Sequence, residues 1–163
     1  MRLPLLAALG LLLATPVFAE GWNYEGGSVP IAWFDTDAAQ FQFACRGGQL
    51  AMGFWVKEPE ATVADATALS LAITPDPAEG STVGSGPGTS FAQDMPLIHL
   101  DGTSAIIRGP VARQWARIAQ GARETIRVAF VRQAGSGLEV FDSAVFGAKG
   151  SKAAIAQVLG TCG

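Results

Sequence analysis

The side chains able to do chemistry are few and widely spaced. His99 is the single histidine of the 163 residues, and the cysteines are two, Cys45 and Cys162. Nucleophilic catalysis needs a base beside its nucleophile. His99 stands inside PLIHL among apolar neighbours, a setting that fits a structural role. No G-x-S-x-G elbow occurs, and GSGPG at 84–88 shares only its composition. One histidine and two cysteines that pair with each other exclude the usual zinc ligand sets. Asp35 and Asp37 flank Thr36, but the other ligands of a calcium loop are missing, so DTD reads as a turn. No catalytic residue, metal ligand or cofactor is expected.

Cationic side chains give the remaining candidates. FGAKGSK (146–152) lacks the G-x-x-x-x-G-K-[ST] spacing of a phosphate loop. It still leads glycine-rich backbone into a helix start beside Lys149 and Lys152, an arrangement that can seat an anion. A plain strand-to-helix connection accounts for the same residues. Arg113 and Arg117 stand one helical turn apart and would project from one face. Like charges at that spacing cost about 0.2–0.5 kcal/mol unless an anion lies opposite. Asp35, Asp37 and Asp65 are the internal candidates for that anion, and an acidic partner or an anionic lipid surface is the external one. Arg113, Arg117, Lys149 and Lys152 are therefore the expected partner- or anion-binding residues.

The cysteines point to a compartment. The chain opens MRLPLLAALGLLLATPVFAEGW. Arg2 precedes an apolar run from Leu3 to Ala14, Pro16 breaks it, and Val17-Phe18-Ala19 places a small residue at a cleavage position. This is the layout of a secretory signal peptide over residues 1–19. The apolar run is short for a membrane span, and Glu20 stands where a lipoprotein would carry cysteine. Residues 20–163 then form one extracytoplasmic domain, in the periplasm or secreted, with no membrane span after cleavage. Two cysteines exported to an oxidising compartment are expected to join.

Several elements must position these residues. In QFQFACRGGQLAMGFWV (40–56), two extended runs flank Gly47-Gly48, a pair suited to a type I′ turn. That loop sets Cys45 against Leu50, Phe43 against Met52 and Phe41 against Phe54, all on one apolar face. The opposite face carries Gln42, Ala44, Ala51, Gly53 and Trp55, small enough in the middle to admit a closely packed helix. PIAWF (30–34), ALSLAI (68–73), ETIRVAFVR and LEVFDSAVF read as strands. PLIHL and TSAIIR flank Asp101-Gly102 as a hairpin. Residues 74–94, rich in Pro, Gly, Ser and Thr, read as a loop or flap.

PVARQWARIAQ (110–120) reads as a helix opened by Pro110 and stopped at Gly121. Its expected apolar stripe is Val111, Trp115, Ile118 and Ala122. A second helix is expected from Ser151 as N-cap to Gly160, with Ile155, Val158 and Leu159 inward. Cys162 continues that series and so emerges on the buried side. A Cys45–Cys162 bond would pin this helix across the hairpin. The fold class is therefore α+β: an antiparallel sheet or sandwich-like core built from hairpins, with two short helices, the last near the end of the chain.

Charge is uneven. From Glu20 to Asp101 two basic residues stand against eleven acidic ones; from Gly102 onward eight basic stand against three acidic. Mutual cancellation of the folded halves is the simplest account. An acidic balance without aromatics along a basic stripe excludes nucleic acid as a partner.

The strand ending in VF, the Gly-Ser helix start and AAIAQVLGTC resemble the finish of small secreted proteobacterial domains similar to the invasion-associated locus B family. The resemblance covers about 20 residues of the end of the chain. It implies a small extracytoplasmic β-rich domain without catalytic residues, and it carries no site residues over. Together these features predict an exported, non-catalytic binding or accessory protein that contacts another periplasmic or cell-envelope protein. A secreted hydrolase with an unrecognised carboxylate site, and an inhibitor that inserts the 74–94 loop into an exported enzyme, are the alternatives.

Overall fold

The computed structural model describes residues 21–74, 97–99 and 103–162. The expected leader (1–19), the Asp101-Gly102 turn, GSGPG and the 74–94 loop beyond Thr74 lie outside the described residues.

The fold is α+β; among the described residues it comprises two antiparallel sheets built from hairpins and two helices. Its centre is the hairpin of β3 (Ala39–Arg46) and β4 (Gln49–Val56). Gly47 and Gly48 both take positive φ, 58° and 76°, as a two-residue turn matched to strand twist demands. The register is the expected one, with Cys45 opposite Leu50, Phe43 opposite Met52 and Phe41 opposite Phe54. All six side chains are buried, none more than 4% exposed. On the β3 side the sheet continues through β2 (Ile31–Asp35) to β1 (Asn23–Glu25). On the β4 side it continues through β7 (Thr103–Arg108) to β6 (Leu97–His99), giving the order β1-β2-β3-β4-β7-β6. A second sheet has the order β5-β8-β9, from β5 (Ala68–Thr74), β8 (Thr125–Ala134) and β9 (Gly137–Gly147).

The two sheets meet through aromatic rings. Phe54 packs on Phe130 with ring centroids 5.1 Å apart, and Phe41 packs on Phe146 at 5.6 Å. Offset and tilted ring pairs at such distances add to the burial of their area. The other half of the inner face is covered by α1 (Pro110–Gly121) and α2 (Ser151–Thr161), which also pack on each other. The Cys45–Cys162 disulfide ties the end of α2 to β3, with Cα atoms 5.5 Å apart.

The start of the described chain is drawn to the same place. Trp22 donates its backbone N–H to the Lys149 carbonyl at 3.0 Å and its indole N–H to the Gly147 carbonyl at 3.1 Å. Its ring stacks near Phe43. Strand β1 and the entry to α2 are thus one packed unit.

Three local expectations are corrected. Among the described residues no helix covers Gln42, Ala44, Ala51 and Gly53: α1 and α2 share the inner core, and these residues stay half-exposed. The inner face is richer in large apolar groups, so it claims both helices and the second sheet. In α1 the buried stripe is Ala112, Trp115, Ala116 and Ala119, with Val111, Ile118 and Ala122 only flanking it. Small residues let α1 approach α2 and the sheet closely, and Trp115 fills the space beside them. In α2 the N-cap is Gly150, in the left-handed conformation at φ 84°, and Ser151 is buried as the first helical residue. The helix also runs through Gly160 to Thr161, whose hydroxyl hydrogen-bonds the Val158 carbonyl at 2.9 Å.

Candidate functional site

Arg113 and Arg117 lie on α1, and Lys149 and Lys152 stand at the start of α2, as two separate groups. Arg113 turns inward along the helix pair and donates to the Cys162 carbonyl at 2.6 Å. A cation on the last carbonyls of a helix answers the negative end of its dipole. The anion opposite Arg113 is therefore the C-terminus of α2, not a carboxylate. Arg117 is exposed on α1. Lys149 and Lys152 lie at the other end of α2, where Gln120 of α1 reaches the Lys152 carbonyl at 3.5 Å. An 11-residue helix is roughly 16 Å long, so Arg113 and Lys152 sit at opposite ends. At the entry to α2 a Cβ on Gly150 would stand 3.2 Å from the Trp22 carbonyl oxygen, so Trp22 packs closely on this corner.

The Asp35-Thr36-Asp37 segment is the β2–β3 connection. Thr36 Oγ1 accepts from the Ala39 N–H at 3.0 Å, and Asp35 pairs with Lys57 at 2.9 Å. Lys57 also reaches the Thr36 carbonyl and stands 5.9 Å from the Trp55 ring centroid. His99 ends β6 opposite Thr103.

Among the described residues, two of the grooves open to solvent bear on function. One, of about 450 Å³, lies between the β2–β3 connection and β9, with Asp37, Glu58 and Asp142 among its lining. Asp142 accepts the Glu60 N–H at 3.3 Å and so fastens the segment before a short 3-10 turn to β9. Among the described residues no cluster of His, Cys, Asp or Glu could hold a metal ion.

The other groove, of about 350 Å³, lies on the outer face of the six-stranded sheet. Strand pairing sets Ile31, Ala44, Ala51 and Arg108 in one row across β2, β3, β4 and β7. The next row is Trp33, Gln42, Gly53 and Ile106. Ala44, Ala51 and Gly53 make a low floor between Ile31 and Ile106. A Cβ on Gly53 would meet Gln42 Cγ at 3.1 Å, so the absence of a side chain there lets Gln42 lie across the floor. Arg46 and Arg108 stand exposed at the end nearest the Gly47-Gly48 turn. Neither has an ionic or hydrogen-bond partner among the described residues. At the opposite end of this face Lys57 is already matched to Asp35. Alternation along β3 and β4 places Gln42, Ala44, Ala51 and Gly53 on one face, but sequence reasoning took that face as room for a helix and did not single out Arg46. It missed Ile106 and Arg108, because the pairing of β7 with β4 spans residues far apart in the chain.

Set beside protein-family models, curated proteins and solved structures, the chain matches none of them.

Proposed function

We propose that the chain is an exported, non-catalytic binding or accessory protein, and that the outer face of its six-stranded sheet contacts another cell-envelope protein. The observation that carries this reading is that face itself. It presents Ile31, Ile106 and Trp33 half-exposed around a floor of small residues, with Arg46 and Arg108 in no ion pair among the described residues. Apolar ground rimmed by polar groups is the usual make-up of a contact surface. The disulfide suits an oxidising compartment. Among the described residues no helix is long and apolar enough to cross a membrane. The resemblance of the last residues to invasion-associated locus B-like domains points the same way.

The test is recovery of a partner from a periplasmic extract on immobilised protein, comparing the wild type with Ala51→Glu. The wild type should retain a protein that the variant loses, with folding unchanged by circular dichroism. Retention by Ala51→Glu together with loss on Arg117→Gln would move the contact to the helix face. A second reading, hydrolysis at the groove lined by Asp37, Glu58 and Asp142, rests on that gathering of carboxylates. It requires an activity that Asp142→Asn abolishes.

A further inference from the structure

We propose that the groove on the outer face binds the free carboxyl end of a partner polypeptide, with the terminal carboxylate between Arg46 and Arg108 and apolar side chains on the Ala44–Ala51–Gly53 floor. This rests on the reading of that face as the contact surface and names the chemistry it takes.

Charge is the first argument. The chain carries a net charge of −3, and its first 101 residues hold far more acids than bases. Arg46 nevertheless forms no ion pair among the described residues, and neither does Arg108. They sit two strands apart and two residues out of step, Arg46 opposite Gln49 and Arg108 opposite Ala51, on the order of 12 Å between backbones. Two long side chains can close over Gln49 and Ala51 from that distance. A guanidinium offers a planar fork of donors that matches a carboxylate. The site is thus complementary to an anion held at one end of an apolar floor.

The floor selects the kind of molecule that carries the anion. An acyl chain needs an unbroken apolar surface, and this floor is interrupted by the Gln42 amide. Gln42 lies flat over Gly53, is half-buried and has no hydrogen-bond partner among the described residues. A side-chain amide offers both a donor and an acceptor, which suits a peptide group one residue before the carboxylate. The apolar neighbours Ile31 and Ile106 then flank a terminal side chain, and Ala44 and Ala51 leave room beneath it. The open, shallow form suits a segment of a few residues lying on a sheet.

The experiment uses the folded, oxidised protein and a library of seven-residue peptides randomised at the last three positions. Each is made with a free carboxyl end and as the amide. Trp33 and Trp55 share the outer face, so their fluorescence reports occupancy. Free-acid peptides with an apolar last residue should be enriched and bind at least about tenfold more tightly than their amides, since a charge-assisted pair is lost on amidation. Arg46→Gln and Arg108→Gln should each weaken the acid several-fold, and the double variant should bind acid and amide alike. Arg123→Gln, remote from the groove, should leave binding unchanged.

Equal binding of acid and amide by the wild type overturns the proposal, as does an acid preference that survives in the double variant. It is overturned as well if no peptide is enriched over the double variant. Dodecanoate changing the fluorescence where peptides do not would assign the groove to an amphiphile. Self-association in sedimentation that the arginine variants abolish would assign it to a second copy. If Ala51→Glu loses the envelope partner but no peptide shows a carboxylate preference, the contact surface stands and this inference alone falls.

Discussion

The two faces of the β3–β4 hairpin are made by alternate residues of the same sixteen, and they have opposite fates. Inward, Phe41, Phe43, Cys45, Leu50, Met52 and Phe54 are buried by the second sheet, by both helices and by Trp22. Outward, Gln42, Ala44, Ala51 and Gly53 have nothing described above them and stay half-exposed. Backbone pairing is common to both faces, so it cannot be the source of the difference. The difference lies in side-chain area: burial is worth about 25 cal/mol per Å² of apolar surface, and only one face has enough of it to recruit a covering layer. A face left with small residues keeps its shape without contributing to the core.

Substitutions that cross between the faces break this contrast most sharply. Phe41→Ala should cost about 3–5 kcal/mol, because it opens a cavity among Trp22, Phe43 and Phe146 that a rigid sheet cannot close. Its sequence neighbour Gln42→Ala should change stability by less than about 0.5 kcal/mol. Urea unfolding of the pair measures both, and equal effects would refute the division of faces.

The inner face is also fastened covalently. Replacing Cys45 and Cys162 by serine should cost about 2–4 kcal/mol, since the bond closes a loop across a sequence separation of 117. Thermal melting of the oxidised protein against the double variant reads this directly. Free thiols in the unreduced protein would contradict the bond.

Arg113→Gln should cost about 1 kcal/mol, a charge-assisted hydrogen bond to the end of α2 being lost at a partly buried position. Hydrogen exchange should quicken in the last turn of α2 before anywhere else. Arg117→Gln, exposed and one turn away, should leave that exchange alone and so sharpens the distinction between inward and outward cations.

The smallest effect belongs to the outer rim. Lys57→Met should cost less than about 1 kcal/mol, because its pairing with Asp35 is about a third exposed on each side. That loss should shrink as salt is raised.

Legibility in the sequence tracks the range of the interactions. The hairpin register was readable because a two-residue glycine turn and a period of two fix it locally. Cys45–Cys162 was readable because one helical series and one strand face each ended on a cysteine. The stripe of α1 was misread because counting apolar side chains favours Val111 and Ile118 over the alanines, whereas close helix approach selects the small residues. The capping of α2 was misread because Ser151 is a good N-cap by type, yet Trp22 crowds that corner and only a left-handed glycine turns the chain into the helix. The candidate site was half legible. Its floor came from alternation within one hairpin, but the arginine across the groove arrives on β7 after the chain has passed through the second sheet.

The tie between Cys45 and Cys162 also imposes an order in time. Synthesis at about 5–20 residues per second places the second cysteine on the order of ten seconds behind the first. The hairpin can zip during that delay from its own turn, but Trp22 must wait for Gly147 and Lys149 before it docks. Through that interval the early thiol has no partner in its own chain. Any disulfide it forms then is with another molecule, so a nascent chain caught midway should be found linked to a foreign thiol rather than miswired to itself.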